Sequence, residues 1–139
     1  TQASPSFSPD GKNLAFVSSK DGSTRIYLLK IPEKGDNIRN LKPQLLTTHQ
    51  REASTPSWSP DGSKIAFCAK GNDNQRQIWV YDVDKKEERQ LTFGSGDKEN
   101  PTWAPNSLHL IFNVRHHDET SDLYLMNLHQ SEAIAIVSD

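Results

Sequence analysis

The sequence predicts an all-β chain built from three copies of one four-stranded antiparallel unit. The first observation is an eight-residue motif that occurs three times, at 4–11, 55–62 and 100–107. The second is that each copy contains the same short strand-like runs in the same order. The third is that no segment keeps an apolar period of 3.6 residues over about ten residues, so helices of ordinary length are not expected.

The repeated motif predicts a first strand followed by a tight turn into the second. It reads SPSFSPDG in the first copy, TPSWSPDG in the second and NPTWAPNS in the third. Its leading prolines, Pro5, Pro56 and Pro101, are 51 and 45 residues apart. In the first two copies proline presets one turn residue, and the following residues tolerate the backbone angles that a hairpin needs.

Three further runs complete each copy and have the composition of strands. They are short, rich in β-branched and aromatic residues, and bounded by Gly, Pro, Asn or Asp. The second run is LAFV, IAFC or LIF, the third is IYLL, IWVY or LYLM, and the fourth is LLT, QLT or AIV. An enlarged turn at 32–37 lengthens the first copy. The units therefore cover approximately residues 1–48, 49–93 and 94–139.

Four strands in a unit of roughly 45 residues are typical of one blade of a β-propeller. The strands of a blade run antiparallel from the central axis outward, and neighbouring blades pack face to face. We therefore expect Trp58 and Trp103, with Phe7 in the first copy, to pack between blades. Propellers close with roughly four to eight blades, so three blades have an open face at each end. The chain is predicted to be part of a ring or to associate with a second copy.

Composition excludes several classes of protein. The chain has 139 residues, of which 33% are apolar and 24% charged, and its net charge is −2. This charge argues against nucleic-acid binding by phosphate neutralisation. No run approaches the roughly 18 apolar residues of a spanning helix. The single cysteine excludes an intramolecular disulfide and a zinc site with several cysteines.

No catalytic or metal-binding constellation stands out in the sequence. The segment 94–96 lacks the Gly-x-Ser-x-Gly spacing of a nucleophile elbow and is expected to be a loop. The segment 116–119 carries two histidines and two acids, but adjacent residues of an extended chain point to opposite faces. Cys68 aligns with Val17, which favours a small buried side chain over a reactive thiol. We expect no enzyme activity, no metal and no cofactor.

Blade topology sorts the loops into two faces. The turns after the first and third strands lie on one face, and the other loops lie opposite, on what we call the loop face. The loop face carries the longer, charge-rich segments, at 19–24, 47–55, 70–76, 93–100 and 114–121. Variable loops on a rigid scaffold are where binding function commonly lies. The residues predicted to form a partner surface are His49, Gln50, Arg51, Glu52, Asp97, Lys98, Glu99, His116 and His117.

The second unit also carries a family resemblance. Its phrase PSWSPDGSKIAF, followed by IWVYDV and RQLT, strongly resembles the TolB-type propeller repeat, and the resemblance covers all three units. The third unit, at 97–106, resembles the final blade of that family's six-bladed C-terminal propeller. Similar repeats occur in the propellers of prolyl-oligopeptidase-like and tricorn-type peptidases.

The resemblance implies a non-catalytic, periplasmic protein-interaction scaffold of the Tol–Pal envelope-integrity system. Its implied partners are a Pal-like peptidoglycan-associated lipoprotein, bound through propeller loops, and the other Tol proteins. It also implies half of a six-bladed ring, so that two copies could form a homodimer with one closed ring. The alternative is the substrate-gating propeller of a prolyl-oligopeptidase-like or tricorn-like peptidase, whose catalytic domain would carry a Gly-x-Ser-x-Gly motif.

Overall fold

The computed structural model describes residues 2–20, 22–35, 38–47, 52–130 and 132–137. These residues form three separate four-stranded antiparallel sheets, and in each sheet the strands are neighbours in chain order. The first sheet contains β1 (Gln2–Phe7), β2 (Asn13–Ser18), β3 (Arg25–Lys30) and β4 (Gln44–Leu45), the second β5 (Ser54–Trp58), β6 (Lys64–Lys70), β7 (Arg76–Asp82) and β8 (Glu87–Gln90), and the third β9 (Asp97–Trp103), β10 (His109–Arg115), β11 (Ser121–Asn127) and β12 (Ala133–Val137). The predicted fold class, all-β with three four-stranded blades, is confirmed.

The connection between β3 and β4 contains a single turn of 3-10 helix at Ile38–Asn40, directly after the enlarged turn of the first unit. Within the described part of the chain, no helix is long and apolar enough to cross a membrane.

The repeated motif forms the predicted turn between the first two strands of each sheet. The Asp10 carboxylate accepts hydrogen bonds from the Ser8 hydroxyl at 2.6 Å and from a backbone amide at 2.9 Å. Asp61 repeats this arrangement with the Ser59 hydroxyl at 2.7 Å. In the third turn Asn106 takes this place and accepts a backbone amide at 2.9 Å. The hydroxyl donors lower the pKa of both aspartates.

Each first strand contains a bulge at its proline. The pairing register shifts between Ala3 and Ser6 in the first sheet, and equivalent shifts occur in the second and third sheets. Proline lacks a backbone N–H and is tolerated at bulges of edge strands. The residues before the prolines of the second and third units, Thr55 and Asn100, have φ angles of 49° and 56°. This left-handed region suits asparagine but is unfavourable for β-branched threonine.

The hydrophobic core lies between the sheets in two clusters. The first cluster joins the first and second sheets, and the second joins the second and third. Alternate residues of β6 contribute to opposite clusters, Phe67 to the first and Ala66 to the second. This alternation follows from the two-residue period of a strand. The second sheet is therefore covered on both faces, as a middle blade requires.

Two tryptophans tie neighbouring sheets together, as predicted. The indole Nε1 of Trp58 donates to the Ser6 carbonyl, and that of Trp103 donates to the Ser57 carbonyl, each at 2.9 Å. Both indoles are buried. Phe7 was expected in the same role, but this prediction is wrong, because its side chain is 61% exposed. Among the described sheets, none packs against the side of the first sheet on which Phe7 lies.

The outer sides of the first and third sheets are open. On the third sheet Leu123, Ile134 and Ile136 are 37%, 66% and 49% exposed. The 45-residue offset relates Leu123 to Ile78 and Ile136 to Leu91, both of which are buried against the third sheet. Repeat units bury such faces against their neighbours, so these are unfilled blade interfaces.

Candidate functional site

Lys98 lies inside the loop face rather than on its surface. Its side chain is 6% exposed, although the sequence prediction placed it among the exposed loop residues. The reason is its position in β9, where it pairs with Val114 on the side that packs against the second sheet. Its ammonium donates to the carbonyl oxygens of Phe93, Gly94 and Ser95 at 3.1, 2.7 and 2.9 Å. Burial lowers the pKa of Lys98.

Residues 92–95 connect the second sheet to the third, and two glutamines also bind their carbonyl groups. Gln77 Nε2 donates to the Gly94 carbonyl at 3.0 Å, and Gln90 Nε2 donates to the Thr92 carbonyl at 2.7 Å. Together with Lys98, they bind the four successive carbonyls of residues 92–95. The connection therefore has a defined backbone conformation.

The connection ends at a glycine that no larger residue can replace without a shift. Gly96 has a φ of 90°, and a Cβ there would lie 2.7 Å from Val114 Cγ1. The chain thus passes tightly over the third sheet. The Phe93 side chain, in this connection, points outward and is 70% exposed.

A cleft of about 310 Å³ opens beside Phe93, between the second and third sheets. Its lining combines apolar side chains with polar ones, and the apolar members include Leu91, Phe112, Tyr124, Met126 and Ala133. The polar members are Thr92, Ser95, Lys98 and His116. Phe112 and Tyr124 stack with ring centroids 6.1 Å apart. The cleft is a site where an apolar group can be enclosed without entering the core.

Asp97 and Glu99 are joined by an arginine that the sequence prediction missed. Arg115 Nη2 lies 3.1 Å from Glu99 Oε1 and 3.9 Å from Asp97 Oδ2. The other Asp97 oxygen, Oδ1, accepts the backbone amide of Arg76 at 2.9 Å. Asp97 therefore links the second sheet to the third. The register that pairs Arg115 with Asp97 is not visible in the sequence.

The two predicted histidines lie at the end of β10 and have different surroundings. His116 Nε2 lies 3.0 Å from Asp122 Oδ2. His117 is exposed, and both histidines line a cavity of about 200 Å³ together with Asp97. Across the part of the chain that is described, no three His, Cys, Asp or Glu side chains are grouped to hold a metal ion.

The predicted surface also includes residues 49–52. His49, Gln50 and Arg51 lie outside the described residues. Glu52 is exposed, and its Oε2 lies 3.2 Å from the Lys70 ammonium. The structure therefore brings Asp97, His116 and His117 to one cavity, with Glu99 beside them.

Cys68 is a buried thiol, as its alignment with Val17 predicted. Its side chain is 1% exposed, and its Sγ donates to the Lys98 carbonyl at 3.1 Å. Arg76 Nε donates to the same sulfur at 3.1 Å. Burial raises the pKa of this thiol, which keeps it in the poorly nucleophilic protonated form.

Phe93 is the candidate site residue that sequence reasoning overlooked. It follows the fourth run of the second unit and precedes Gly94 in a polar segment. A phenylalanine in such a segment is a signal that could have been used.

Comparison with curated proteins identifies relatives of this chain. It is 54% identical to "Protein TolB homolog" of Protochlamydia amoebophila over 100 residues, which are 72% of this chain and 21% of that protein. It is 32% identical to "Tol-Pal system protein TolB" of Francisella tularensis subsp. mediasiatica over 91 residues, 65% of this chain and 19% of that protein. The chain thus spans about a fifth of the length of these relatives.

Solved structures agree with the fold. The structure of putative TolB from Agrobacterium tumefaciens superposes with a TM-score of 0.81 at 22% identity, covering 99% of this chain and 49% of that one. The propeller domain of the Trilobed protease from Pyrococcus furiosus gives 0.67 at 20% identity, covering 96% and 40%. At these identities the likeness concerns the fold alone.

The family model described as the TolB beta propeller domain matches residues 1–138. This match covers all three sheets and agrees with the blade arrangement that the structure shows. The chain belongs to the TolB beta propeller domain family.

Proposed function

We propose that this chain acts as a non-catalytic protein-interaction scaffold of the Tol–Pal system. We further propose that it binds a Pal-like peptidoglycan-associated lipoprotein through its loop face. The observation that carries the proposal is the 54% identity to a TolB homologue. The arrangement of Asp97, Glu99, His116 and His117 on one side of the second and third sheets supports a binding surface there.

Binding of the soluble domain of a Pal-type lipoprotein to the full chain, measured by calorimetry, tests this function. Saturable binding is expected, and Arg115→Glu should weaken it because it removes the ion pairs that hold the Asp97 and Glu99 side chains in place. The matched control is Lys85→Glu, which reverses a charge on the opposite face. Equal effects of the two substitutions would reject the assignment of the loop face, and no binding at all would reject the function.

Arg51 was also predicted to contact the partner, and Arg51→Glu should weaken binding in the same assay. Lys98→Glu is not a useful test of contact, because Lys98 is buried and its ammonium binds three carbonyls.

We also propose a periplasmic location for this protein. Recovery of the native protein in the periplasmic fraction of the cell is the expected result.

A peptidase propeller is the second candidate function. The similarity of the fold to the Trilobed protease propeller favours it. In that case the propeller would control substrate access to a separate catalytic domain. Assay of the native full-length protein on peptide substrates distinguishes the two functions, since the scaffold has no turnover and a peptidase loses its turnover when its nucleophile is substituted.

We also propose that further blades of the same repeat cover the two open faces. In a solution of this 139-residue chain, a second copy would supply these blades. Two copies would close a six-bladed ring head to tail. The exposed Phe7 at one end and Leu123, Ile134 and Ile136 at the other support this assembly. Sedimentation equilibrium should show twice the monomer mass of 15.7 kDa. A monomer mass up to high micromolar concentration rejects the dimer.

A further inference from the structure

Phe93 is a large apolar side chain exposed on a loop whose carbonyl groups accept hydrogen bonds from buried and half-buried side chains. We infer that Phe93 is the aromatic anchor of the partner surface, and that the cleft beside it receives an apolar side chain from a protein partner with a basic contact surface. This inference rests on the proposed function, because it specifies how the loop face would engage its partner.

The support of the loop is the first argument. Side-chain donors from Lys98, Gln77 and Gln90 bind the carbonyls of residues 92–95, so the loop is ordered before any partner arrives. A preorganised loop loses little conformational entropy on binding. Aromatic residues are enriched in protein interfaces. An aromatic ring that is 70% exposed on such a loop is suited to enter a pocket of another protein.

The cleft is the second argument. Phe93 forms one of its walls, and Leu91, Phe112 and Met126 supply further apolar surface beside several polar groups. Two side chains at the cleft can carry a positive charge, and both have partners: the Lys98 ammonium donates to three carbonyls, and His116 Nε2 lies 3.0 Å from Asp122 Oδ2. A volume of about 310 Å³ is at the lower end for small-ligand pockets, and it holds one large side chain. An anion would find both positive groups already paired, so the occupant that fits is a side chain that packs against the apolar part of the lining.

The charge of the surrounding loops identifies the kind of partner. The segments 70–76, 96–99 and 115–122 contain six acidic and four basic residues. Lys98 is buried, and Arg115 and Glu99 pair with each other, which leaves five acidic and two basic residues. The exposed charge around the anchor is therefore negative, and complementarity favours a partner with a basic surface.

Calorimetry with the soluble domain of a Pal-type lipoprotein tests the anchor in the full chain. Phe93→Ala removes the ring, and Ala133→Leu fills the cleft from β12. Each should weaken binding about tenfold or more, which is the loss typical of a hot-spot residue. Ile38→Ala is the matched control, because Ile38 is 69% exposed but lies in the connection between β3 and β4 of the first unit. The affinity of the Ile38→Ala variant should stay within about twofold of that of the unsubstituted protein.

Lys98 is assigned as a positioning residue for Phe93, and a double-mutant cycle tests that role. Lys98→Met keeps an apolar stem and removes the three hydrogen bonds. It should weaken binding when Phe93 is present and change affinity little in the Phe93→Ala background, since coupled residues are not additive. Gln90→Met, which removes the donor to the Thr92 carbonyl from a half-buried position, is the milder variant if Lys98→Met does not fold. Additive effects of either variant with Phe93→Ala overturn the positioning role.

The outcomes separate this inference from the proposed function. Binding that persists unchanged in both Phe93→Ala and Ala133→Leu rejects the anchor and the cleft but leaves the proposed function in place. Absence of binding by the unsubstituted protein rejects both. Vesicles of phosphatidylglycerol serve as a second probe, and binding to them that depends on Phe93 would overturn the assignment of a protein partner.

Discussion

The two interfaces between blades use the same scaffold in different ways. In the first interface the position equivalent to Lys98 is Ala53, and that equivalent to Tyr124 is Trp79. Ala53 and Trp79 are both buried in the first cluster. In the second interface, a lysine and a smaller aromatic residue replace them, and a cleft opens beside Phe93. A repeat can therefore keep its backbone while one interface is fully packed and the other acquires a candidate binding site.

Removing the central indole of the first interface should have the largest effect. Trp58→Ala leaves a cavity in the first cluster and removes the hydrogen bond to the Ser6 carbonyl. We expect a loss of about 3 to 5 kcal/mol in the free energy of unfolding, measured in urea. Trp58→Phe, which copies the residue at position 7, should cost about 1 kcal/mol through the lost hydrogen bond. Similar losses for both variants would show that the hydrogen bond, not packing, joins the blades.

Loss of the buried ammonium should weaken the second interface by less. Lys98→Met leaves the carbonyls of Phe93, Gly94 and Ser95 without their charged donor. The expected cost is about 1 to 3 kcal/mol in the same urea measurement, since unsatisfied buried groups are destabilising. Ala53→Met is the control in the first interface, where overpacking alone operates. A more stable Lys98→Met variant would show that the desolvation penalty of the ammonium exceeds the stabilisation from its hydrogen bonds.

This contrast also shows what the sequence could and could not predict. The three sheets, the Pro-Asp-Gly turns and the roles of Trp58 and Trp103 follow from a repeat with period-two patterning. The burial of Lys98 does not, because a lysine in a charge-rich segment has the appearance of a solvated residue. Its environment depends on three carbonyls whose direction is set by the loop conformation. Likewise the exposure of Phe7 depends on a neighbouring sheet, which is not a local property.

The bulge before the second proline offers a smaller test. Thr55 has a φ of 49° and a buried hydroxyl with no hydrogen-bond partner among the described residues. Its counterpart is Asn100, a residue that tolerates this region. Thr55→Asn should raise the free energy of unfolding by about 1 kcal/mol by relieving backbone strain. Asn100→Thr is the reciprocal change and should lower it, and a loss of stability in both variants would show that side-chain packing at each bulge outweighs backbone strain.

The turns give the smallest expected effect, and it depends on pH. The Ser8 and Ser59 hydroxyls lower the pKa of Asp10 and Asp61 in the folded chain. A carboxyl with a lowered folded pKa stabilises the protein above its unfolded pKa of about 3.9 and loses that contribution as the pH falls through the folded value. The third turn has Asn106 in this place and has no such titration. The double variant Asp10→Asn and Asp61→Asn should therefore show a shallower decline of stability below pH of about 4. Thermal unfolding from pH 7 to pH 2 measures this, and identical acid slopes would place the titrating groups elsewhere.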